Sequence, residues 1–215
     1  MKKKLILIGG GGHAKVVIDA VDQSKYEIVG ILEKDNCHLH EKINGIEIIG
    51  IDSQSEDFLS LGIKYAFIAI GHIGNSKIRN MIFSQMQDKG FEFINIVHCN
   101  AVLSDSVRMG KGNLIMAGSI LNTEVYIGNN NIINTGVILE HEVVVKNGVH
   151  IAPGVVIAGR SKINDNVFIG AGSTVIQGIS IGKNSIVGAG SVVIHDIPDN
   201  VIAVGNPARI IKQLE

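Results

Sequence analysis

The chain has 215 residues, 46 % of them apolar, and a formal net charge of −1. With no basic excess it carries no field for a nucleic-acid backbone, and with 4 % aromatic residues and no Trp it lacks stacking platforms for bases. Cys37 and Cys99 have no CxxC spacing and read as incidental thiols, not as a disulfide frame or a metal site.

After the basic start at residues 1–4, the apolar run 5–8 is cut off by Gly9, Gly10, Gly11 and Gly12, which leaves it too short for a signal peptide or a membrane span. A cytoplasmic location is the expectation. The run reads as a strand, the glycines as a turn, and Ala14, Val16, Val17, Ala20 and Val21 as the apolar side of a helix. Residues 27–32 read as a second strand with Glu33 and Asp35 at its end, and residues 65–70 as another, running into Gly71, His72, Ile73, Gly74 and Asn75. Ser76 then caps a helix that reaches Lys89. The alternation predicts a small parallel α/β unit over residues 1–95.

Backbone N–H groups at a helix N-terminus have no intrahelical partner, and the helix dipole favours an anion, so phosphate is the natural ligand of the glycine turn. Gly9, Gly11 and Ala14 also fit a loose dinucleotide pattern with Glu33 downstream, although tight strand-to-helix packing alone would call for glycines here too. A unit of this size holds one mononucleotide half, which favours a single nucleotide diphosphate over a dinucleotide.

From Val97 to Val193 every sixth residue is Val, Leu, Met or Ile, seventeen in succession. A second column four residues later, from Ala101 to Ser191, holds small or β-branched residues, with Asn113 and Asn131 as exceptions. Gly, Asn and Asp lie between the columns and suit tight corners. Neither a helical period nor sandwich spacing fits, whereas a parallel β-helix does. No loop interrupts the beat between Val97 and Pro198, so acceptor choice is expected to lie with the N-terminal unit.

Residues 97 to 198 resemble the hexapeptide-repeat, left-handed β-helix acyltransferases, in which three hexads make one triangular coil. The left hand comes from this resemblance alone, because right-handed crossovers are the general rule. Through Gly12 and His13 after the glycine turn, and Gly71, Asn75 and Arg79 after the later strand, nearly the whole chain is similar to the sugar acyltransferases related to sialic acid O-acetyltransferase. These include the N-acetyltransferases for UDP-linked bacillosamine and GDP-linked perosamine.

The resemblance implies a Rossmann-like half domain over residues 1–95 that binds the acceptor, and a left-handed β-helix with a C-terminal tail over residues 96–215 that binds acetyl-CoA without a metal. It also implies a homotrimer with active sites at the subunit boundaries. It assigns acceptor contacts to Gly10, Gly11, Gly12, His13, Glu33, Lys34, Gly71, His72, Asn75 and Asn134. Glu33 and Lys34 stand where relatives often carry paired acids. Acetyl and CoA contacts fall to His150, Gly159, Ala171, Ala189 and Arg209.

Acetyl transfer needs a base for the nucleophile's proton, and imidazole titrates near working pH. His141 is third in its hexad, outside both inward columns, with the Glu142 carboxylate adjoining to orient its ring. A solvated surface pair is the alternative; in the resembling family this pair is the proposed general base and its partner. His150, next to inward Ile151, points outward, and the resemblance has it contact the acetyl group, consistent with polarising the thioester carbonyl.

The expected activity is acetyl-CoA-dependent N-acetylation of a nucleotide-linked 4-amino-deoxy sugar for bacterial surface glycan synthesis. A sialic acid O-acetyltransferase is the alternative. Carbonic anhydrases of the γ type use the same β-helix with zinc on three histidines, but this repeat has only His141 and His150 in its middle. A non-catalytic trimeric scaffold predicts that His141→Ala is silent.

Overall fold

The computed structural model describes residues 2–74 and 76–214, so Asn75 lies outside the described residues. The first part contains β1 (Lys3–Ile8), α1 (Gly12–Ala20), β2 (Tyr26–Glu33), β3 (Lys42–Ile43), β4 (Ile46–Ile51), α2 (Ser55–Ser60), β5 (Tyr65–Ile68), α3 (Lys77–Asp88) and β6 (Glu92–Phe93). They build one sheet in the order β3-β4-β2-β1-β5-β6, parallel except for the β3–β4 hairpin. That hairpin and α2 are absent from the sequence-based expectations, although Asn44 and Gly45, both with positive φ, form a recognisable two-residue turn.

Central β1 opens on two exposed lysines and is then wholly apolar because both faces of the sheet are covered, with Leu5, Ile6, Leu7 and Ile8 at most 1 % exposed. Leu5 and Leu7 pack in one layer with Ala14 and Val17 of α1, while Ile6 and Ile8 pack in the other with Ile82 and Met86 of α3. The α1 layer continues without a break into Ile96, Leu114, Met116 and Ile132 of the repeat, so the two parts share a core.

The repeat forms seventeen two-residue strands from Ile96–Val97 to Val192–Val193. Leu114 pairs with Ile132, Ile120 with Ile138 and Tyr126 with Val144, so each coil takes three hexads and the strands stack into three parallel faces. We call the faces first, second and third in the order of strands 96–97, 102–103 and 108–109. The beat residues fill the interior, with Ile115, Ile133, Ile151, Ile169 and Val187 fully buried. Buried serines of the second column give their hydroxyls to corner carbonyls, as Ser119 does to Asn134 O at 2.9 Å. Of the two exceptions in that column, Asn113 Nδ2 donates to the corner carbonyl of Gly128 at 2.8 Å, while Asn131 Nδ2 donates to Asn113 Oδ1 at 3.0 Å and its Oδ1 accepts from Val149 N at 2.7 Å. The coils close with Val201–Val204 and the antiparallel strand Arg209–Gln213.

The N-terminal unit sits on the first face, where the outward residues Ile96, Leu114, Ile132 and His150 are all buried. Arg79 of α3 anchors the junction. It is 1 % exposed and donates to the carbonyls of Ile68 and Ile70 at 2.7 and 2.9 Å, with a longer contact to Asn130 O of the repeat. Ser76 precedes α3 as expected but does not cap it; its hydroxyl reaches across the junction to Asn166 Oδ1 at 3.1 Å. Tertiary contact thus outcompetes the local cap, and the helix start is held by the repeat instead.

Candidate active site

The C-terminal edge of the N-terminal sheet opens into a pocket of about 1590 Å³. Gly9 turns the chain at φ 97°, where a side chain would be strained and would strike Ile70. Gly10 N donates to Glu33 Oε1 at 2.5 Å, which pins the turn to the end of β2. Gly11 caps α1 without a side chain and Gly12 begins it, and an added Cβ at either would meet nothing within 4 Å. Bare helix amides therefore face open space, which is the geometry of an anion site.

Three histidines close the pocket on the side of β5. His13 lies against Gly71, where an added Cβ would come within 3.3 Å of its ring. The His72 and His150 rings meet edge to face at 5.2 Å. His150 Nδ1 lies 2.6 Å from His72 O, so it carries the proton and donates. Its Nε2 faces Asn134 Nδ2 at 3.3 Å, an orientation fixed because Thr135 N donates to Asn134 Oδ1 at 2.8 Å. Both ring nitrogens are thus engaged within the chain, and the ring lines the pocket.

Burial, then the Arg79 charge and His150, pull His13 down to about 4, and burial, then His150, Arg79 and His13, pull His72 down to about 3. His150 is also lowered, chiefly by burial. All three rings are neutral near pH 7. Arg79 itself is lowered to about 9 by burial, and the carbonyls it holds carry no counter-charge. A neutral, donor-rich pocket over a buried cation favours a phosphate-bearing ligand.

Lys34 and Glu33 line the pocket, and so does Asp52, which the sequence reading passed over. Gly71, His72 and His150 line it as well, whereas Asn134 takes part through its bond to His150.

His141 and Glu142 lie elsewhere, at the corner between the second and third faces, after strand Ile138–Leu139 and before Val144–Val145. His141 Nδ1 lies 3.0 Å from Glu142 Oε2. The same carboxylate oxygen accepts from Arg160 Nε at 2.9 Å, one coil further on. That bond first, and the one to His141 second, hold the Glu142 carboxyl below its usual range. Arg160 is a residue that sequence reasoning missed. Its signal is positional: Glu124, Glu142 and Arg160 occupy the left-handed corner position, φ 58–60°, that Gly fills at every coil of the preceding corner from Gly118 to Gly190. Non-glycine residues held there cost energy.

Gly159 belongs to this same corner. An added Cβ would stand 2.5 Å from His141 Cε1 and 2.9 Å from Cδ2, with Nε2 between them nearer still, so the Nε2 end of the imidazole lies against Gly159 and needs the missing side chain. Ala171 and Ala189 are exposed at the corner between the first and second faces, so with Gly159 at the next corner the expected CoA residues flank the second face from both sides. The exposed Arg209 donates to the neighbouring Ala208 O at 3.0 Å. Among the described residues no group of three acidic, His or Cys side chains is placed to hold a metal ion, and no helix is long and apolar enough to cross a membrane.

The two parts define a hexapeptide-repeat acyltransferase fold fitted with an N-terminal α/β unit that carries a large pocket. Residues 4–86 match the PglD N-terminal domain, and residues 123–153 and 162–194 match the hexapeptide repeat of succinyl-transferase. A mutant of perosamine N-acetyltransferase from Caulobacter crescentus, solved with CoA and GDP-perosamine, is 35 % identical; the match covers 98 % of this chain and 97 % of that one, with a TM-score of 0.91. The acetyltransferase domain of PglB from Neisseria gonorrhoeae, solved with acetyl coenzyme A, is 30 % identical over 98 % of this chain and 100 % of that one, with a TM-score of 0.87. An uncharacterized protein of Acanthamoeba polyphaga mimivirus is 35 % identical over 114 residues, and the matched stretch is 51 % of this chain and 20 % of that protein's length. The chain belongs to the family of sugar acetyltransferases that join a PglD N-terminal domain to hexapeptide repeats, and its β-helix is of the left-handed kind.

Proposed function

We propose that the protein transfers an acetyl group from acetyl-CoA to the amino group of a nucleotide-linked 4-amino-deoxy sugar, in the cytoplasm, as a homotrimer. The observation that carries this reading is the His141–Glu142–Arg160 alignment, on a chain whose separate pocket offers bare helix amides to an anion. Residues 1–95 hold the acceptor and residues 96–215 hold acetyl-CoA.

Glu142 accepts the Nδ1–H of His141 and leaves the Nε2 lone pair free to take the amine's proton as nitrogen attacks the thioester carbon. The C–S bond of the tetrahedral intermediate then breaks, and the departing CoA sulfur recovers that proton from Nε2. Arg160 keeps Glu142 ionised and oriented, so that the imidazolium formed in between has a fixed counter-charge.

The acceptor pocket lies over the first face and His141 at the opposite corner of the prism, so the two do not meet within one chain. This supports a site shared between neighbouring subunits. The second face supplies the boundary: its outward residues include Val102 at 61 % exposure and Ile120 at 37 %, followed by Ile138 and Val156.

Release of CoA thiol with UDP-, GDP-, dTDP- and CMP-linked sugars tests the reading. Turnover is expected with a nucleotide-linked amino sugar and is expected to vanish in His141→Ala. Response to sialic acids alone would make it an O-acetyltransferase and overturn the proposal.

A further inference from the structure

The pocket runs along the C-terminal edge of the sheet, and the strand order puts its parts in sequence. His72 follows β5, the glycine turn follows β1, Glu33 ends β2, and Asp52 follows β4. With three strand spacings between the ends, the row is about 14 Å long, the reach of a sugar, diphosphate, ribose and base laid end to end. A diphosphate on the glycine turn with its sugar toward His150 places the nucleoside toward Glu33 and Asp52.

Glu33 is already committed, since Oε1 accepts from Gly10 N and Oε2 from Lys34 N at 3.2 Å. Asp52 is not. Its Oδ1 is buried yet has no hydrogen-bond partner among the described residues, a state that costs free energy until a donor arrives. Burial, then the Glu33 charge, push the Asp52 carboxyl up to about 6, against the opposing pull of Lys89. Lys89 Nζ, which donates to Ser55 Oγ at 2.9 Å and has Glu56 Oε1 at 3.8 Å, stands at the same end of the pocket.

We propose that Asp52 reads the nucleobase of the acceptor and selects guanine; this rests on reading the pocket as the nucleotide-sugar site. Guanine presents two adjacent donors, N1–H and the N2 amino group, to a carboxylate, and its O6 carbonyl is open to an ammonium such as Lys89. Uracil offers one N–H flanked by two carbonyls that a carboxylate repels. Adenine and cytosine set a ring acceptor beside their amino group.

Calorimetric titration of the full chain with GDP, IDP, UDP, CDP and ADP tests this. GDP is expected to bind about 10- to 100-fold tighter than UDP, and IDP, which lacks the N2 amino group, to fall between them. Asp52→Asn is expected to remove the preference while diphosphate binding persists. Equal affinities across the panel, with or without a uniform loss in Asp52→Asn, would overturn base selection and leave the acceptor pocket standing. Failure of every diphosphate to bind would overturn both readings.

Discussion

Gly159→Ala isolates the placement of His141 from its chemistry, because it adds one methyl group and changes no charge. Ordinary Cβ contacts begin at 3.4 Å, and the new methyl would stand 2.5 Å from His141 Cε1. The ring must therefore retreat by about 1 Å, a displacement that in a positioned base costs about 100-fold in rate, or about 2.7 kcal/mol of transition-state stabilisation. Folding should not suffer. Gly159 has no positive φ, His141 is half-exposed and free to swing outward, and Gly→Ala at a compatible site stabilises by about 0.5 kcal/mol through the unfolded chain. The assay is kcat with saturating acetyl-CoA and acceptor, beside a thermal melt. A kcat near 1 % of wild type with an unchanged or slightly raised Tm is expected. Turnover within threefold of wild type would show that the ring is not held over Gly159 in the working enzyme.

Other perturbations have equally definite outcomes. Glu142→Gln keeps the shape of the carboxylate but not its charge, and is expected to lower kcat by about 100-fold with little change in acceptor KM, measured by steady-state kinetics. Arg79→Met strips the donors from the Ile68 and Ile70 carbonyls at the junction and should cost about 2 kcal/mol or more in urea unfolding, with loss of nucleotide affinity. Asp52→Asn should raise Tm at pH 7.5. The folded protein holds the Asp52 proton more tightly than the unfolded chain, so the stability this carboxyl contributes is full below pH 4 and is lost as pH rises through about 6. Below pH 4 the variant's advantage should disappear.

The repeat was legible because one periodicity dictates it. Each beat residue faces a closed interior, so Val97 to Val193 could be read without any tertiary information. Even Asn113 and Asn131, which break the small-residue rule, are resolved by a ladder along the prism whose partners lie a whole coil apart. The His141–Glu142 contact was legible for a local reason, since its partners are sequence neighbours, and the glycine turn because four glycines run together between an apolar strand and a helix. What escaped was non-local. Arg160 meets Glu142 only because a coil returns the chain to the same corner, and Ser76 abandons its helix for Asn166, 90 residues on. Asp52 counts as a site residue only once β4 is seen beside β2. The contact of His150 with His72 O escaped for the same reason, because only the docking of the two parts brings them near.

The central claim, a proton taken by His141 of one subunit from an amine held in the pocket of another, is tested most directly by complementation. Gly11→Asp puts a carboxylate among the bare amides, where it caps α1 favourably but repels a diphosphate, so this variant and His141→Ala should each be inactive alone. Co-expressed in equal amounts, the two should recover about one quarter of wild-type turnover, the fraction of shared sites that draw both intact halves. Mixed assemblies as inactive as their parents would place base and pocket in the same chain and contradict the account.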